Sequence, residues 1–394
     1  MELTNAGLGV LLLAFFTAWE GTGSQSLKVK RTFPSTGIIN LGNRDNKWTP
    51  LMNISTKLSE ITRITSHFEF RTFDPEGAIF YGDTRDGQDW FVLSLRGGIP
   101  EMQIGKADIL VSVTGGPKLN DGLWHKMELR SEGMLVVLEV DNKKELVVGL
   151  HSKEAQANMT GYIRLALGGI LVDEKKLVFQ FGPLMDGCLR QGHWLNLSSP
   201  WDTTLEVMPT ACFPKIKKGS FFPGTGLAAF NTSDLPGPSL EDTISISVNM
   251  SSDDWSGTLM YMQVLPSRSA TLRVTGQSKA KKLSVTLSTE SGAENYDIEI
   301  DSPNFHLAIL RNTMTFKLHN EEIKLQDNNQ DFLARWKEGM LLAFGGVPGD
   351  SVENKGSDYL EGCVDSIHIQ GNEVDLDEAL FKDPSVFSHS CPVS

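Results

Sequence analysis

Residues 134–148 read MLVVLEVDNKKELVV, and this stretch decides the class of fold. The apolar run from Met134 to Val140 ends at Asp141-Asn142, and apolar residues return at Leu146. Two apolar runs separated by residues that favour turns are typical of a β-hairpin. The stretch therefore predicts two antiparallel strands joined by a tight turn.

Strand-like patterns recur along the chain. Apolar and polar residues alternate from Phe68 to Phe73, and the segment from Trp90 to Leu95 is apolar and branched. Only Asp375 to Phe381 has the pattern of a short helix. Many short strands at about ten-residue spacing, closed by turn residues, predict an all-β chain of antiparallel sandwiches rather than parallel sheets with crossover helices.

The chain also contains an internal repeat. LALGG at 165–169 is echoed by LAFGG at 342–346, and MDGC at 185–188 by LEGC at 360–363. Trp124-His125 corresponds in the same way to Phe305-His306. One domain therefore occurs twice. We predict a signal peptide, an N-terminal extension and two domains, over residues 1–24, 25–46, 47–214 and 215–394.

The N-terminal residues predict the compartment. The apolar segment from Ala6 to Ala18 is too short to span a bilayer and has the length of a signal-peptide core; a buried strand or helix is the alternative. Because no later segment is apolar enough to span a membrane, we expect a secreted, extracellular protein without membrane insertion. Five sequons could then accept glycans, at Asn53, Asn158, Asn196, Asn231 and Asn249.

Composition and motifs exclude several classes of function. The 394 residues are 40% hydrophobic and 22% charged, as in a globular protein, and the net charge of −13 argues against binding nucleic acid. GxSxG, HExxH and GxxxxGK[ST] motifs are absent, so we predict no enzyme. We interpret His125, after a core Trp124, and His306 as structural residues. A glycosidase-like carboxylate pair stays open, because such pairs meet only in the fold.

Four cysteines allow three disulfide connectivities in an oxidising compartment. Each half of the chain ends with one pair, and the short spacings favour Cys188–Cys212 and Cys363–Cys391. A zinc site is the competing interpretation, but no CxxC or HxxxH spacing accompanies the cysteines.

The motifs FDPEG at 73–77, FYGD at 80–83 and DGLWH at 121–125, with LALGG and DGC, resemble a laminin G-like domain. Two such domains in tandem resemble the plasma carriers of androgens and estrogens. The resemblance is strongest from about Leu58 to Cys212. It implies two laminin G-like β-sandwiches of jelly-roll type, a location in blood plasma, a homodimer formed through the first domain, and ligands such as testosterone, dihydrotestosterone and estradiol.

A steroid is a rigid apolar plate with an oxygen at each end, so its site needs an apolar slot with a polar group at either end. The resemblance implies Ser66 for the ring-A oxygen and Asp89 as the acceptor for a 17β-hydroxyl. Taken without the resemblance, these are a strand-end serine and a solvated loop carboxylate. By the same resemblance, Phe91, Ile163 and Leu195 form walls of the steroid site. Lys106 and Ser131 also line the site, but they differ from the residues that the family has at these positions.

Lys106 stands where the family has an asparagine beside the 17-oxygen, and Ser131 and Ile163 replace methionines of the wall. Ligand ranking is therefore expected to differ. Lys106 could donate to the steroid, pair with Asp89, or point to water, and these alternatives stay open.

Asp74-Pro75-Glu76-Gly77 has the residues of a type I turn. The resemblance implies a structural calcium ion at this corner, held by Asp74, Glu76 and the backbone carbonyl of Leu184. No catalytic cofactor is expected. The family's zinc ligand is replaced by Ala107, so we predict no equivalent zinc site.

Two other functions stay open. One is a pair of laminin G-like domains that binds a receptor or a regulatory protein. The other is an extracellular lectin or matrix-glycan binder, which the acidic balance of the chain disfavours.

Overall fold

The structure is a computed structural model that describes residues 28–31, 38–42, 48–60, 65–84, 87–106, 109–132, 135–149, 161–190, 201–204, 212–239, 241–251, 254–300, 304–318, 321–326, 331–349 and 358–393. The chain forms two compact units, one from Gln25 to Lys218, to which Pro392–Ser394 are assigned, and one from Gly219 to Cys391. Both consist of antiparallel strands, which confirms the predicted all-β class. No helix in the described part of the chain is long and apolar enough to cross a membrane.

The first unit is a sandwich of two sheets. The eight-stranded sheet has the order β1-β14-β3-β12-β5-β6-β7-β8, and the six-stranded sheet has the order β11-β10-β9-β4-β13-β2. The strands are β1 (Lys28–Arg31), β2 (Ile38–Asn40), β3 (Met52–Lys57), β4 (Thr65–Thr72), β5 (Gly77–Thr84), β6 (Asp89–Arg96), β7 (Ile99–Lys106), β8 (Ile109–Thr114), β9 (His125–Glu132), β10 (Leu135–Val140), β11 (Lys143–Gly149), β12 (Tyr162–Leu167), β13 (Gly187–Arg190) and β14 (Trp201–Thr204).

The second unit repeats this topology. The remaining strands are β15 (Ile216–Lys217), β16 (Ser220–Pro223), β17 (Ala228–Asn231), β18 (Ile244–Met250), β19 (Ser256–Val264), β20 (Ala270–Gln277), β21 (Lys282–Thr289), β22 (Gly292–Glu299), β23 (Phe305–Ile309), β24 (Thr313–Leu318), β25 (Glu321–Gln326), β26 (Met340–Phe344), β27 (Glu361–Ile369), β28 (Asn372–Glu373), β29 (Phe381–Lys382) and β30 (Cys391–Pro392). The order β17-β26-β19-β20-β21-β22 matches β3-β12-β5-β6-β7-β8 of the first unit, and β16-β27-β18-β23-β24-β25 matches its six-stranded sheet read from β2 to β11. The structure therefore bears out the repeat.

The predicted hairpin is confirmed. Strands β10 and β11 pair with Val140 opposite Lys143, and the turn residues Asp141 and Asn142 have φ of 51° and 65°. Two consecutive left-handed residues twist the turn in the same sense as the strands, and Asp and Asn tolerate that conformation.

Both favoured cysteine pairs are disulfide-bonded in the structure. Cys188 is joined to Cys212 and Cys363 to Cys391, and no cysteine is free. Each bond ties the strand that carries the repeated Gly-Cys motif, β13 or β27, to the chain that follows it.

The eight-stranded sheet also packs on its outer face. Tyr81, Trp90 and Val92 form a cluster there with the segment that contains Ile170 and Phe181. The amide of Gln103, which is fully buried, holds this segment: its Nε2 donates to the Phe179 carbonyl at 2.8 Å, and its Oε1 accepts from the Val178 amide at 2.8 Å.

A buried ion pair joins β5 to β12 on the same outer face. The Arg164 guanidinium donates to both carboxylate oxygens of Asp83, at 2.7 Å and 2.5 Å, and the Tyr81 hydroxyl donates to Asp83 at 2.7 Å. Burial and the hydrogen bond to Asp83 raise the pKa of Tyr81 above its ordinary value. Because every partner is satisfied, the pair fixes the register of the two strands.

Trp124 differs from the sequence-based expectation of a core residue. It is partly exposed, and its ring lies between the guanidinium groups of Arg71 and Arg190, at 4.6 Å and 3.9 Å from the ring centroid. Arg71 also donates to the carbonyls of Phe213 and Pro214, at 2.6 Å and 3.1 Å. Trp124 thus packs through cation–π contacts, which its apolar neighbours in sequence do not indicate.

The helices also differ from expectation. Asp375 to Phe381 forms a 3-10 turn over Leu376–Glu378 and part of β29, whereas the one α-helix of the described residues is α1 (Phe332–Glu338). Helix α1 begins at the N-cap Asp331, whose carboxylate accepts from the Ala334 amide at 3.0 Å. Seven residues are too few to show helical periodicity in the sequence.

His125 and His306 lie at equivalent places in the two units, but their pKa values are shifted in opposite directions. His125 Nδ1 lies 2.8 Å from Asp141 and Nε2 lies 3.1 Å from Asp121. Burial acts to lower the pKa of His125, but the hydrogen bonds to Asp141 and Asp121 outweigh it and the net shift is upward. Burial, and then the charge of Lys317, lower the pKa of His306.

We predict opposite pH dependences for the two variants His125→Gln and His306→Gln. A raised pKa gives stability that is present below the unfolded value of about 6.5 and is lost as pH rises through the folded value. The stability deficit of His125→Gln should therefore be larger at acidic than at alkaline pH. A lowered pKa reverses the sign, so acid should destabilise the wild type more than His306→Gln. Calorimetric unfolding between about pH 5 and pH 8.5 tests this, and parallel profiles for both variants would contradict it.

Candidate functional site

Strand alternation places the predicted residues of the eight-stranded sheet on its inner face. Along β6, Leu93 and Leu95 belong to the core between the sheets. Asp89 and Phe91 lie four and two positions before Leu93, so their side chains share that face of the strand. The Phe91 ring packs against this core.

The neighbouring strands contribute two further residues to this face. Met102 and Ile104 of β7 are core residues, so Lys106 lies in step with them at the strand end. Ile163 of β12 is itself a buried core residue.

The strand registers bring these residues to one end of the sheet. Thr84 of β5 pairs with Ile163 on one side and with Asp89 on the other. Lys106 lies one position beyond the register pair Trp90–Gly105, next to Asp89. The Asp89 carboxylate and the Lys106 ammonium group are therefore placed at the same end of the sheet as the apolar side chain of Ile163.

The six-stranded sheet supplies Ser66. Phe68 and Phe70 of β4 belong to the core between the sheets, and Ser66, in step with them, is 3% exposed. Ser131 lies on β9 opposite Val136, and nothing is described of its side chain. Leu195 lies outside the described residues, and so does Ala107.

Aromatic rings connect the two sets of residues across the sandwich. The Phe68 and Phe80 centroids are 6.1 Å apart, and those of Phe80 and Phe91 are 5.6 Å apart. The Phe91 ring covers Gly82 on β5, where a Cβ atom would lie 2.5 Å from the ring. The glycine thus allows the ring to lie flat on the sheet, and an aromatic band runs from Ser66 on one sheet toward Asp89 on the other.

The polar groups of this site have no partners within the part of the chain that the structure describes. Neither the Ser66 hydroxyl, the Asp89 carboxylate nor the Lys106 ammonium makes a hydrogen bond or ion pair there, and Asp89 and Lys106 do not pair with each other. Such groups are available to a ligand that has oxygens at its two ends.

The turn at Asp74 forms a second candidate site. Asp74 is buried, its Oδ1 accepts from the Glu76 amide at 3.0 Å, and its Oδ2 accepts from the Asp186 amide at 2.8 Å. Glu76 Oε2 accepts from the Gly182 amide at 3.2 Å. Gly77, with φ of 149°, leaves room for the Leu184 carbonyl directly beside it. The structure therefore brings the three predicted calcium ligands to one corner.

Sequence reasoning missed the residues that support this corner. The Thr72 hydroxyl donates to the Asp186 carbonyl at 2.7 Å and accepts from the Asp74 amide at 2.8 Å. Asn40 donates to the Asp186 carboxylate at 3.1 Å. The Asp186-Gly187-Cys188 motif was the available signal, but the sequence does not indicate its partners.

Three sequon asparagines lie in the described residues. Asn53 is on β3 between β12 and β14, Asn231 accepts from the Ser233 amide at 3.1 Å, and Asn249 donates to the Ser366 hydroxyl at 2.9 Å. All three are partly buried. Asn158 and Asn196 lie outside the described residues.

Comparisons with known proteins agree with this architecture. The Laminin G domain family matches residues 70–198. Domains LG4-5 of the mouse laminin alpha1 chain superpose with a TM-score of 0.65 at 16% identity, covering 95% of this chain and 99% of that one. The likeness confirms two laminin G-like sandwiches.

Two curated relatives extend over most of the chain. Growth arrest-specific protein 6 of Mus musculus is 28% identical over 374 residues, which are 87% of this chain and 54% of that protein. Sex hormone-binding globulin of Rattus norvegicus is 31% identical over 355 residues, which are 88% of this chain and 84% of that protein. The chain therefore belongs to the sex hormone-binding globulin family.

Proposed function

We propose that this protein is a secreted, non-enzymatic carrier of sex steroids, which binds them between the two sheets of its first unit. The observation that carries the proposal is the presence of unpaired polar groups at inner-face positions of an otherwise apolar core. Ser66 would bond the ring-A oxygen, and Asp89 would accept from a 17β-hydroxyl.

The energetics of the proposed site are dominated by apolar contact. Burying the steroid against Phe91 and Ile163 contributes about 25 cal/mol per Å² of apolar area. The two polar ends add orientation and specificity, because a steroid lacking either oxygen leaves a buried group unpaired. Testosterone, dihydrotestosterone and estradiol carry oxygens at both ends, and Leu195 and Ser131 would complete the wall.

Secretion into plasma, glycosylation at the sequons and a homodimer through the first unit belong to the same proposal. They rest on the family resemblance, the N-terminal apolar segment and the sequons. The second candidate function is a protein-binding laminin G pair, which the similarity to growth arrest-specific protein 6 favours. A carrier needs the Ser66 hydroxyl and a receptor-binding pair does not, so the two functions are separable.

We further propose that Asp74, Glu76 and the Leu184 carbonyl hold a structural calcium ion. Carboxylate and carbonyl oxygens suit this cation, and both Asp74 and Glu76 already contact the segment that contains Leu184. The ion would add a link between the turn and this segment. The hydrogen bond that the Asp186 amide donates to the Asp74 carboxylate holds the two together in either case.

Replacement of Ser66 is the first test. We expect Ser66→Ala to weaken testosterone binding by about 1–3 kcal/mol, roughly 5- to 150-fold, because the steroid oxygen loses its partner. The matched control is Ser94→Ala, since Ser94 is also a fully buried strand serine without a partner in the described residues, but lies on the outer face of β6. Equilibrium binding of tritiated testosterone measures both. Unchanged affinity in a folded Ser66→Ala protein would contradict the carrier proposal.

The second test compares testosterone with androstenedione, which differ only in having a 17β-hydroxyl or a 17-ketone. Asp89→Asn should reduce the preference for the hydroxyl by about 1 kcal/mol, roughly fivefold, because the charge-assisted bond is lost. Lys106→Met should weaken the ketone more, because the ketone can only accept. Equal losses for both ligands in both variants would contradict the assigned roles.

Calcium should raise the unfolding temperature of the first unit by a few degrees, about 2–4 °C per kcal/mol of binding free energy. Glu76→Gln should abolish this shift, and the control Glu174→Gln, at a 3-10 turn of the same unit, should keep it. Differential scanning calorimetry with and without calcium gives the answer. A shift of the same size in Glu76→Gln would count against the site.

A further inference from the structure

The second unit contains a polar groove that the proposed steroid site does not explain. The groove has a volume of about 520 Å³ and lies where β19, β20, β21 and the start of β27 meet. The side chains that define it are those of Ser256, Thr275, Gln277, Lys282, Asp358 and Glu361. Hydroxyl, amide, ammonium and carboxylate groups thus line one concavity of a size typical of small-ligand sites.

The registers of three strands bring the central groups together. Ser256 of β19 pairs with Gln277 of β20 on one side and with Glu361 of β27 on the other. Cross-strand neighbours have Cβ atoms roughly 4.5–5.5 Å apart. A hydroxyl therefore stands between an amide and a carboxylate in a row across the sheet.

These groups have unused hydrogen-bonding capacity. Within the described residues, the side chains of Ser256, Thr275, Gln277 and Glu361 make no hydrogen bond or ion pair. The nearby charges are already engaged: Lys282 pairs with Asp297 at 2.8 Å, and Asp358 pairs with Arg273 at 3.0 Å. The four unpaired groups thus offer donors and acceptors to a bound molecule, while the charges at the rim are largely compensated.

We propose that this groove binds a neutral hexose of an oligosaccharide. A carboxylate accepts from two adjacent hydroxyls, an amide both donates and accepts, and a hydroxyl does either, which matches the alternating groups of a sugar ring. The Glu361 carboxylate, which is unpaired in the described part of the chain, disfavours anionic sugars such as sialic acid. The proposed contacts come from protein side chains alone, so this binding would not require a metal ion.

Saturation-transfer NMR on the full chain tests this site, after enzymatic removal of the protein's own glycans. The probes are methyl α-mannoside, methyl β-galactoside and N-acetylglucosamine, with N-acetylneuraminic acid as the anionic comparison. We expect transfer to one or more neutral sugars, with and without EDTA, and weaker or no transfer to N-acetylneuraminic acid. Absence of transfer to all three neutral sugars, its loss in EDTA, or preference for the anionic sugar would overturn the proposal.

Variants then place the site. Glu361→Gln and Ser256→Ala should each weaken binding about fivefold or more, because each removes a hydrogen-bonding group from the ligand. Glu361 is exposed, so its replacement leaves the core intact. The control is Glu299→Gln, an exposed glutamate on the edge strand β22 outside the groove, which should bind as the wild type does. Equal affinity in Glu361→Gln and the wild type would overturn the assignment.

Discussion

The architecture depends on one apolar layer between two pleated sheets. Because side chains of a strand alternate between its faces, a residue's position in the strand decides whether it enters this layer. In the first unit, Phe68, Phe80 and Phe91 join the two sheets by direct ring contacts. A shift of one residue in β4 would turn Ser66 and Phe68 outward together, so the packing that holds the sheets also positions the candidate site.

Polar residues inside the first unit differ in whether they have a partner. On the outer face of the eight-stranded sheet, the buried carboxylate of Asp83 is fully paired with Arg164 and Tyr81. On the six-stranded sheet, Ser66 lies on the inner face of β4 and is 3% exposed, and its hydroxyl has no partner in the described residues. Folding stability favours the paired arrangement of Asp83, because a buried polar group without a partner costs free energy. Within the same part of the chain, the absence of a partner also occurs at Ser94 on the outer face of β6, so the position of Ser66 on the inner face is what distinguishes the candidate site.

Sequence reasoning succeeded where the signal is local. The hairpin at Asp141-Asn142, the repeat and the all-β class follow from neighbouring residues or from spacing. The position of Trp124 depends on Arg71 of β4 and Arg190 of β13. A single sequence does not indicate which distant segments will come into contact, so this packing could not be predicted. Helix α1 was missed because seven residues give no period. The row of Gln277, Ser256 and Glu361 appears only once three strands are in register.

The two copies show how one backbone corner accommodates different side-chain chemistry. Gly77 and Gly257 both have positive φ, and each leaves room for a facing carbonyl, that of Leu184 or of Tyr359. In the first copy Asp74 is buried and its oxygens hold two backbone amides. In the second copy Asp254 is 73% exposed and pairs with Lys279 at 3.1 Å.

The conserved feature of this corner is therefore the close approach of backbone, which glycine alone permits without strain. The side chains around it are free to diverge, because in the second copy Asp254 does not carry the buried amide contacts that Asp74 makes in the first. Ser256 occupies the position of Glu76, and with Gln277 and Glu361 it lines a groove instead of bonding the facing segment. A duplicated fold can thus keep its backbone packing, while the same corner holds a buried, hydrogen-bonded carboxylate in one copy and lines a polar groove in the other.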